Sequence, residues 1–191
     1  MKSQKLAAIS LALVTLLAAC GAYAASPTAT PTTAPSSAGT DWMMHGFPNV
    51  IATRDFTPGT AATINAGPYT ISVPADAFTV PVTINVLSGD PSSFSSNAPS
   101  GEVPVLAFAF NVKDAKGNLV VKFNKPVMLT ANDAQIYADS QYYNVAADGS
   151  FTENPTGLQE SAGELSHPIA GAPVGWVITT PASEVSMSSG G

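Results

Sequence analysis

The sequence predicts an all-β fold, a single antiparallel β-sandwich, and three observations predict it. Apolar residues alternate with polar ones at a spacing of two in five separate stretches. Clusters of Gly, Pro, Asp and Asn, the residues that turns need, separate those stretches. No segment beyond residue 40 keeps a helical apolar period over three turns. A content of 15 glycines and 16 prolines fits many short strands joined by tight turns.

The alternating stretches follow in chain order from Asp41, where the domain is expected to begin. Tyr69, Ile71 and Val73 alternate with Thr70 and Ser72. Val80, Val82, Ile84 and Val86 alternate with Pro81, Thr83 and Asn85. Leu106, Phe108, Phe110 and Val112 form one face of a long strand, and Val127 with Leu129 repeats the pattern. Trp176 and Ile178 close the series. Successive strand side chains point to opposite faces, so each set places its apolar members on one side. The turns are read at Ala66-Gly67-Pro68, Asp114 to Asn118, Ala147 to Ser150 and Gly171-Ala172-Pro173. Ala131 to Ala138 offers one weak helical turn, and Gly89 to Gly101 is the longest irregular loop. The domain is expected to span 41–182, with a disordered tail over 183–191.

Ahead of the domain, Ala25 to Thr40 reads ASPTATPTTAPSSAGT, with no charge and no large apolar side chain. Such a segment cannot offset its own ordering entropy by burial. Its prolines bias it toward extended geometry, so these residues reach about 50 Å at about 3.1 Å each. Residues 20–40 therefore read as a tether.

The first nineteen residues read as a secretory signal. Lys2 and Lys5 precede the uncharged run Leu6 to Ala19, which is too short for a bilayer-spanning helix. Leu17-Ala18-Ala19-Cys20 then resembles the lipobox of bacterial lipoproteins, and Cys20 is the chain's one cysteine. The resemblance implies cleavage between Ala19 and Cys20 and a diacylglyceryl group on the Cys20 thiol. A second small-x-small triplet, Ala22-Tyr23-Ala24, offers cleavage before Ala25 and a secreted product without the cysteine. The lipobox is preferred because it matches at every position and accounts for where the cysteine stands. Two or more acyl chains anchor stably, whereas one does not. Gly21 is not the aspartate associated with inner-membrane retention, so the resemblance implies the outer membrane where an envelope has two.

Two stretches resemble ZU5-like domains, immunoglobulin-like β-sandwiches. The first is Thr70-Ile71-Ser72-Val73-Pro74-Ala75-Asp76-Ala77-Phe78 followed by Pro81-Val82-Thr83-Ile84-Asn85-Val86. The second is Phe123-Asn124-Lys125-Pro126-Val127-Met128-Leu129-Thr130. Asp76 departs from the glycine common at that place. The resemblance implies a non-catalytic sandwich used in interaction or structural modules, and it transfers no active site.

Charge and chemistry narrow the function. Removing Lys2 and Lys5 with the signal leaves five basic against thirteen acidic residues, a net charge of 5 − 13 = −8. That balance argues against nucleic acid as a partner. Without a further cysteine the domain has no disulfide and no thiolate metal site. Met43-Met44-His45 offers thioether and imidazole ligands of the kind copper takes, with Met128 expected buried and His167 and Met187 the other ligands of similar type. The competing reading packs Met43 and Met44 beside Trp42 and Phe47 and leaves His45 solvated. It is preferred, because one triplet lacks the repeated spacing of a dedicated site.

Hydrolysis is the weakest reading. No Gly-x-Ser-x-Gly elbow is present, and His167 precedes Pro168 in extended backbone. Glu153, Glu160 and Glu164 read as solvated turn residues. Asp114, Asn118, Asp133, Asp139 and Asp148 lack the spacing of a calcium loop, and turn geometry accounts for them. Tyr137, Tyr142 and Tyr143 form a candidate binding face for a glycan or protein if exposed, although strand alternation would turn some inward. The reading that results is a lipid-anchored, extracytoplasmic, non-enzymatic module with no cofactor. Its expected partners are the membrane, through the lipid, and an envelope protein or glycan. A periplasmic copper-binding protein and a cell-wall-associated hydrolase are the alternatives.

Overall fold

The computed structural model describes Trp42, residues 44–172 and residues 174–188. The signal segment, Ala19, Cys20, the tether and Met43 lie outside them, as does the Met187 side chain. The strands are β1 (Asn49–Phe56), β2 (Ala62–Ala66), β3 (Tyr69–Val73), β4 (Val82–Ser88), β5 (Glu102–Asp114) and β6 (Lys122–Asn132). They continue as β7 (Gln141–Val145), β8 (Phe151–Glu153), β9 (Gln159–Ser161), β10 (Glu164–Gly171) and β11 (Gly175–Pro181), and one helix follows, α1 (Ala182–Ser188). Two antiparallel sheets result. The larger has the order β1-β4-β5-β11-β7-β8, and the smaller β2-β3-β6-β10-β9. The all-β sandwich read from the alternation is the architecture observed.

The alternating apolar residues meet between the sheets. Val82, Ile84 and Val86 of β4, Phe108, Phe110 and Val112 of β5, and Trp176 and Ile178 of β11 face Ile71, Val73, Val127, Leu129 and Leu165 in one buried cluster. Phe108 stacks on Trp176 at 5.1 Å, and Phe110 meets the same indole edge-on at 5.0 Å. At the other end Phe78 packs edge-on against Phe56 and Phe123. Asn124 fixes that end, since its backbone N–H donates to the Ala77 carbonyl and its side-chain amide to the Asp76 carbonyl, each at 2.8 Å. The two stretches that carry the ZU5-like resemblance therefore touch. The β2–β3 hairpin turns on Gly67, whose φ of 58° is open to glycine at little cost.

A second apolar layer covers the outer face of the larger sheet. Leu87, Ala107, Ala109, Val145 and Val177 point outward and are buried beneath Trp42, Phe47 and Phe94. Two backbone bonds to the Trp42 carbonyl, from His45 and Phe47, fold the entering chain into a turn. Phe47 then seats on Gly175, where an added Cβ would lie 2.3 Å from its ring and 3.0 Å from the Phe108 carbonyl oxygen. Gly89 and Gly46 approach equally closely, a Cβ on Gly89 falling 2.1 Å from the Gly46 oxygen. The loop 89–101 is thus not irregular throughout. Asp90 caps a 3-10 turn over Pro91–Phe94 that brings Phe94 onto Phe47 at 5.2 Å.

Several local expectations are corrected. β4 begins at Val82, and Val80 is exposed. Met128, expected buried, faces outward on β6. Residues 131–138 finish β6 and continue as turns, with no helix. Where the sequence reading expects a frayed tail from Ser183, residues 182–188 form α1, tied to the sheet by the Ala182 N–H donating to the Gly101 carbonyl.

Candidate functional site

β9 pairs with β10 only at Glu164, Leu165 and Ser166. From His167 onward that edge of β10 has no strand partner among the described residues, and a lateral groove of about 660 Å³ opens there between the sheets. Its position follows from the sequence. Pro168 has no N–H to offer a further strand and suits a free edge. Ser166, Pro168 and Ala170 point outward on β10, while His167 and Ile169 point inward. Asn144 approaches from β7, Trp176 from β11, and Asn154 and Thr156 from the loop between β8 and β9. None of the lining residues is Asp, Glu, Lys or Arg.

Asn154 organises this groove. Its backbone N–H donates to the Tyr142 carbonyl at 2.8 Å, and its side-chain amide reaches Asn144 Oδ1 at 3.3 Å. Its carbonyl lies 3.0 Å from His167 Nε2. A carbonyl only accepts, so Nε2 carries the proton and Nδ1 keeps its lone pair. Nδ1 has no hydrogen-bond partner among the described residues, and neither does the Tyr142 hydroxyl. The two rings lie flat on each other with centroids 4.1 Å apart and planes 13° from parallel. Burial lowers the His167 pKa from its ordinary 6.5, partly offset by the backbone groups of Asn154 and Pro168. Burial also pushes the Tyr142 phenol well above its ordinary value. Burial thus favours the neutral imidazole, and its hydrogen-bond partner is a backbone carbonyl rather than a carboxylate.

The tyrosines named as a candidate face do not form one. Tyr142 is wholly buried between the sheets, and Tyr143 points to the opposite side of β7. There its hydroxyl donates to Glu102 Oε1 at 3.0 Å, and Thr179 donates to the other oxygen of the same carboxylate. Tyr137 is half-buried. Tyr142 and Tyr143 are neighbours on β7, so alternation sends them to opposite faces, while Tyr137 lies ahead of that strand.

Of the candidate copper ligands, Met43 and the Met187 side chain lie outside the described residues. Met44 is 82% exposed, against the expectation that it packs beside Trp42 and Phe47, and His45 is half-buried in the entering turn. Among the described residues no three His, Cys, Asp or Glu side chains converge. The candidate calcium donors close turns. Asp114 accepts from the backbone of Lys116 and Asn118 and from the Asn118 side chain, Asp133 from Gln135, and Asp148 from Ser150. These bonds hold the Asp114 and Asp148 carboxyls below the usual carboxylate range. Glu153 and Glu160 sit on the three-residue strands β8 and β9, and Glu164 opens β10, all exposed.

Asn144, Asn154 and Trp176 were not identified as site residues from the sequence. Asparagines in turn-rich segments carry no distinctive chemistry until the fold aligns them. No protein-family model matches the chain, and comparison with curated proteins finds no match, so both resemblances rest on the residues quoted for them.

Proposed function

We propose that this chain is a lipid-anchored recognition module of the cell envelope that carries out no chemistry of its own. The anchor is Cys20, read from the lipobox, and the tether of residues 20–40 lifts the sandwich from the membrane surface. The observation that carries the recognition reading is the lateral groove. It combines apolar walls with a few convergent polar groups, as ligand sites do, and holds no charged side chain. Its one titratable group is an imidazole tied through Nε2 to a backbone carbonyl. The triad pattern orients its general base with a carboxylate, whereas His167 bonds to a backbone carbonyl. That arrangement favours binding over the hydrolase alternative. Met44 is exposed, His45 is half-buried and Met43 lies outside the described residues, so their placement lends the copper alternative no support.

The test uses the full chain in its envelope. Wild-type protein should fractionate with the membrane, and Cys20→Ser should leave it while keeping a β-type circular dichroism spectrum. A photocrosslinker in place of Thr156, on the groove rim, should trap an envelope component. Retention of Cys20→Ser in the membrane would remove the anchor from the account, and an empty crosslink would remove the recognition role.

A further inference from the structure

The outer face of the smaller sheet carries a row that becomes visible only through the strand register. Asn65 pairs with Thr70, Thr70 with Thr130, Thr130 with Ser166, and Ser166 with Gln159. Directly paired residues share a face, so one polar side chain from every strand stands in line. At about 4.8 Å between strands the row is about 19 Å long. The neighbouring row is Thr63, Ser72, Met128 and Pro168. Neither row contains a charge, although acidic residues outnumber basic ones on the chain 13 to 7. The hydroxyls are held in place, with Thr130 and Ser166 bonded to each other at 3.0 Å.

Two recesses frame this face. A shallow one of about 450 Å³ runs along Thr63, Ser72 and Met128 to Pro126. Pro126 also lines the lateral groove, whose wall includes Pro168 and the inward His167. The two recesses share this one lining residue, and with the polar row they mark a path across the face. His167 is 2% exposed, and its Nδ1 lone pair lacks a partner. Nδ1 is sealed from the surface, so contact with a ligand falls to the outward residues of the path.

We propose that this path binds a linear, uncharged polysaccharide strand, an inference that rests on the recognition reading above. The ligand class follows from the chemistry. Rows of hydroxyl and amide side chains exchange hydrogen bonds with sugar hydroxyls without the desolvation cost of a charge. Pro126, Met128 and Pro168 offer apolar contact to the C–H faces of the rings. An extended path across five strands suits a polymer better than a small ligand. Neither row offers an acidic polymer a cation, and exposed Glu164 stands two residues from Ser166 on the same face of β10.

The experiment is native-gel retardation of the full chain, held in a detergent without a sugar headgroup. The gels contain amylose, laminarin, hydroxyethyl cellulose or galactomannan, with acidic alginate as the comparison. Retardation is expected in at least one neutral polysaccharide and not in alginate. Thr130→Glu with Ser166→Glu should weaken it by about tenfold, because the carboxylates must be desolvated against the ligand. Thr63→Glu with Ser72→Glu, at exposed positions on the same path, serves if the first pair unfolds, as judged by thermal melting. Unaltered mobility in all four neutral polysaccharides overturns the inference, and so does retardation that folded charge variants keep, or equal retardation in alginate. If the Thr156 crosslink still traps an envelope protein, the recognition reading stands while the polysaccharide assignment falls.

Discussion

The imidazole of His167 lies 4.1 Å above the phenol ring of Tyr142 and nearly parallel to it, joining the smaller sheet to the larger one beside the groove. Each ring carries one buried polar atom without a hydrogen-bond partner among the described residues. Their shared position makes the pair sensitive to pH and to removal of a single oxygen.

The pH effect has a defined sign. Burial lowers the folded-state pKa of His167 below 6.5, so the unfolded chain binds the proton more readily. This contribution to stability is complete above about pH 6.5 and falls as pH drops through that value, by at most about 1.4 kcal/mol per pH unit. It levels once the folded imidazole is protonated. Asp114 and Asp148, held low by their turn bonds, lose their contributions only below about pH 4. Urea melts between pH 4.5 and 8, taken about half a unit apart, should show the decline in the wild type and a flatter profile in His167→Gln. Parallel profiles would assign the decline to other groups.

Removing one hydroxyl at a time separates Tyr142 from Tyr143. The Tyr142 oxygen is unpartnered, so Tyr142→Phe should be neutral or stabilising by up to about 1 kcal/mol. Tyr143→Phe loses the bond to Glu102 and should cost about 1 kcal/mol. Equilibrium denaturation of both variants checks the order. A larger loss at Tyr142 would show that its hydroxyl has a partner.

The outer layer over the larger sheet depends on the absence of a side chain at residue 175. Gly175→Ala should cost about 2 kcal/mol by driving Phe47 from its seat. Phe47→Ala alone should cost about 3 kcal/mol. The double variant should cost clearly less than the sum, because the alanine methyl occupies the space that the ring leaves. Strict additivity in denaturation experiments would mean that Phe47 and Gly175 do not contact each other.

The strands that pack on both sides of the main core were legible because their apolar residues alternate, as in β3, β4 and β11. β1 was not, since nearly all of Asn49–Phe56 is exposed at a sheet edge and burial imposes no pattern there. In β5 the pairing steps from Ile178↔Leu106 to Thr179↔Pro104, so Val105 is a bulge residue and the alternation breaks. β8 and β9, at three residues each, are too short to show a period. The outer layer was hidden because Leu87, Ala107, Ala109 and Val177 occupy the positions that alternation assigns to solvent. Of the site, His167 was noticed for its chemistry. Its neighbours Asn144 and Asn154 belong to segments that only tertiary pairing brings together.

The lipid proposed on Cys20 would fix where the whole module acts. Intact mass and peptide mass spectrometry of the native protein, extracted from its envelope, measures it directly. The account predicts an N-terminal peptide beginning at residue 20 with a diacylglyceryl thioether. A mature chain beginning at Ala25 without acyl groups would contradict it.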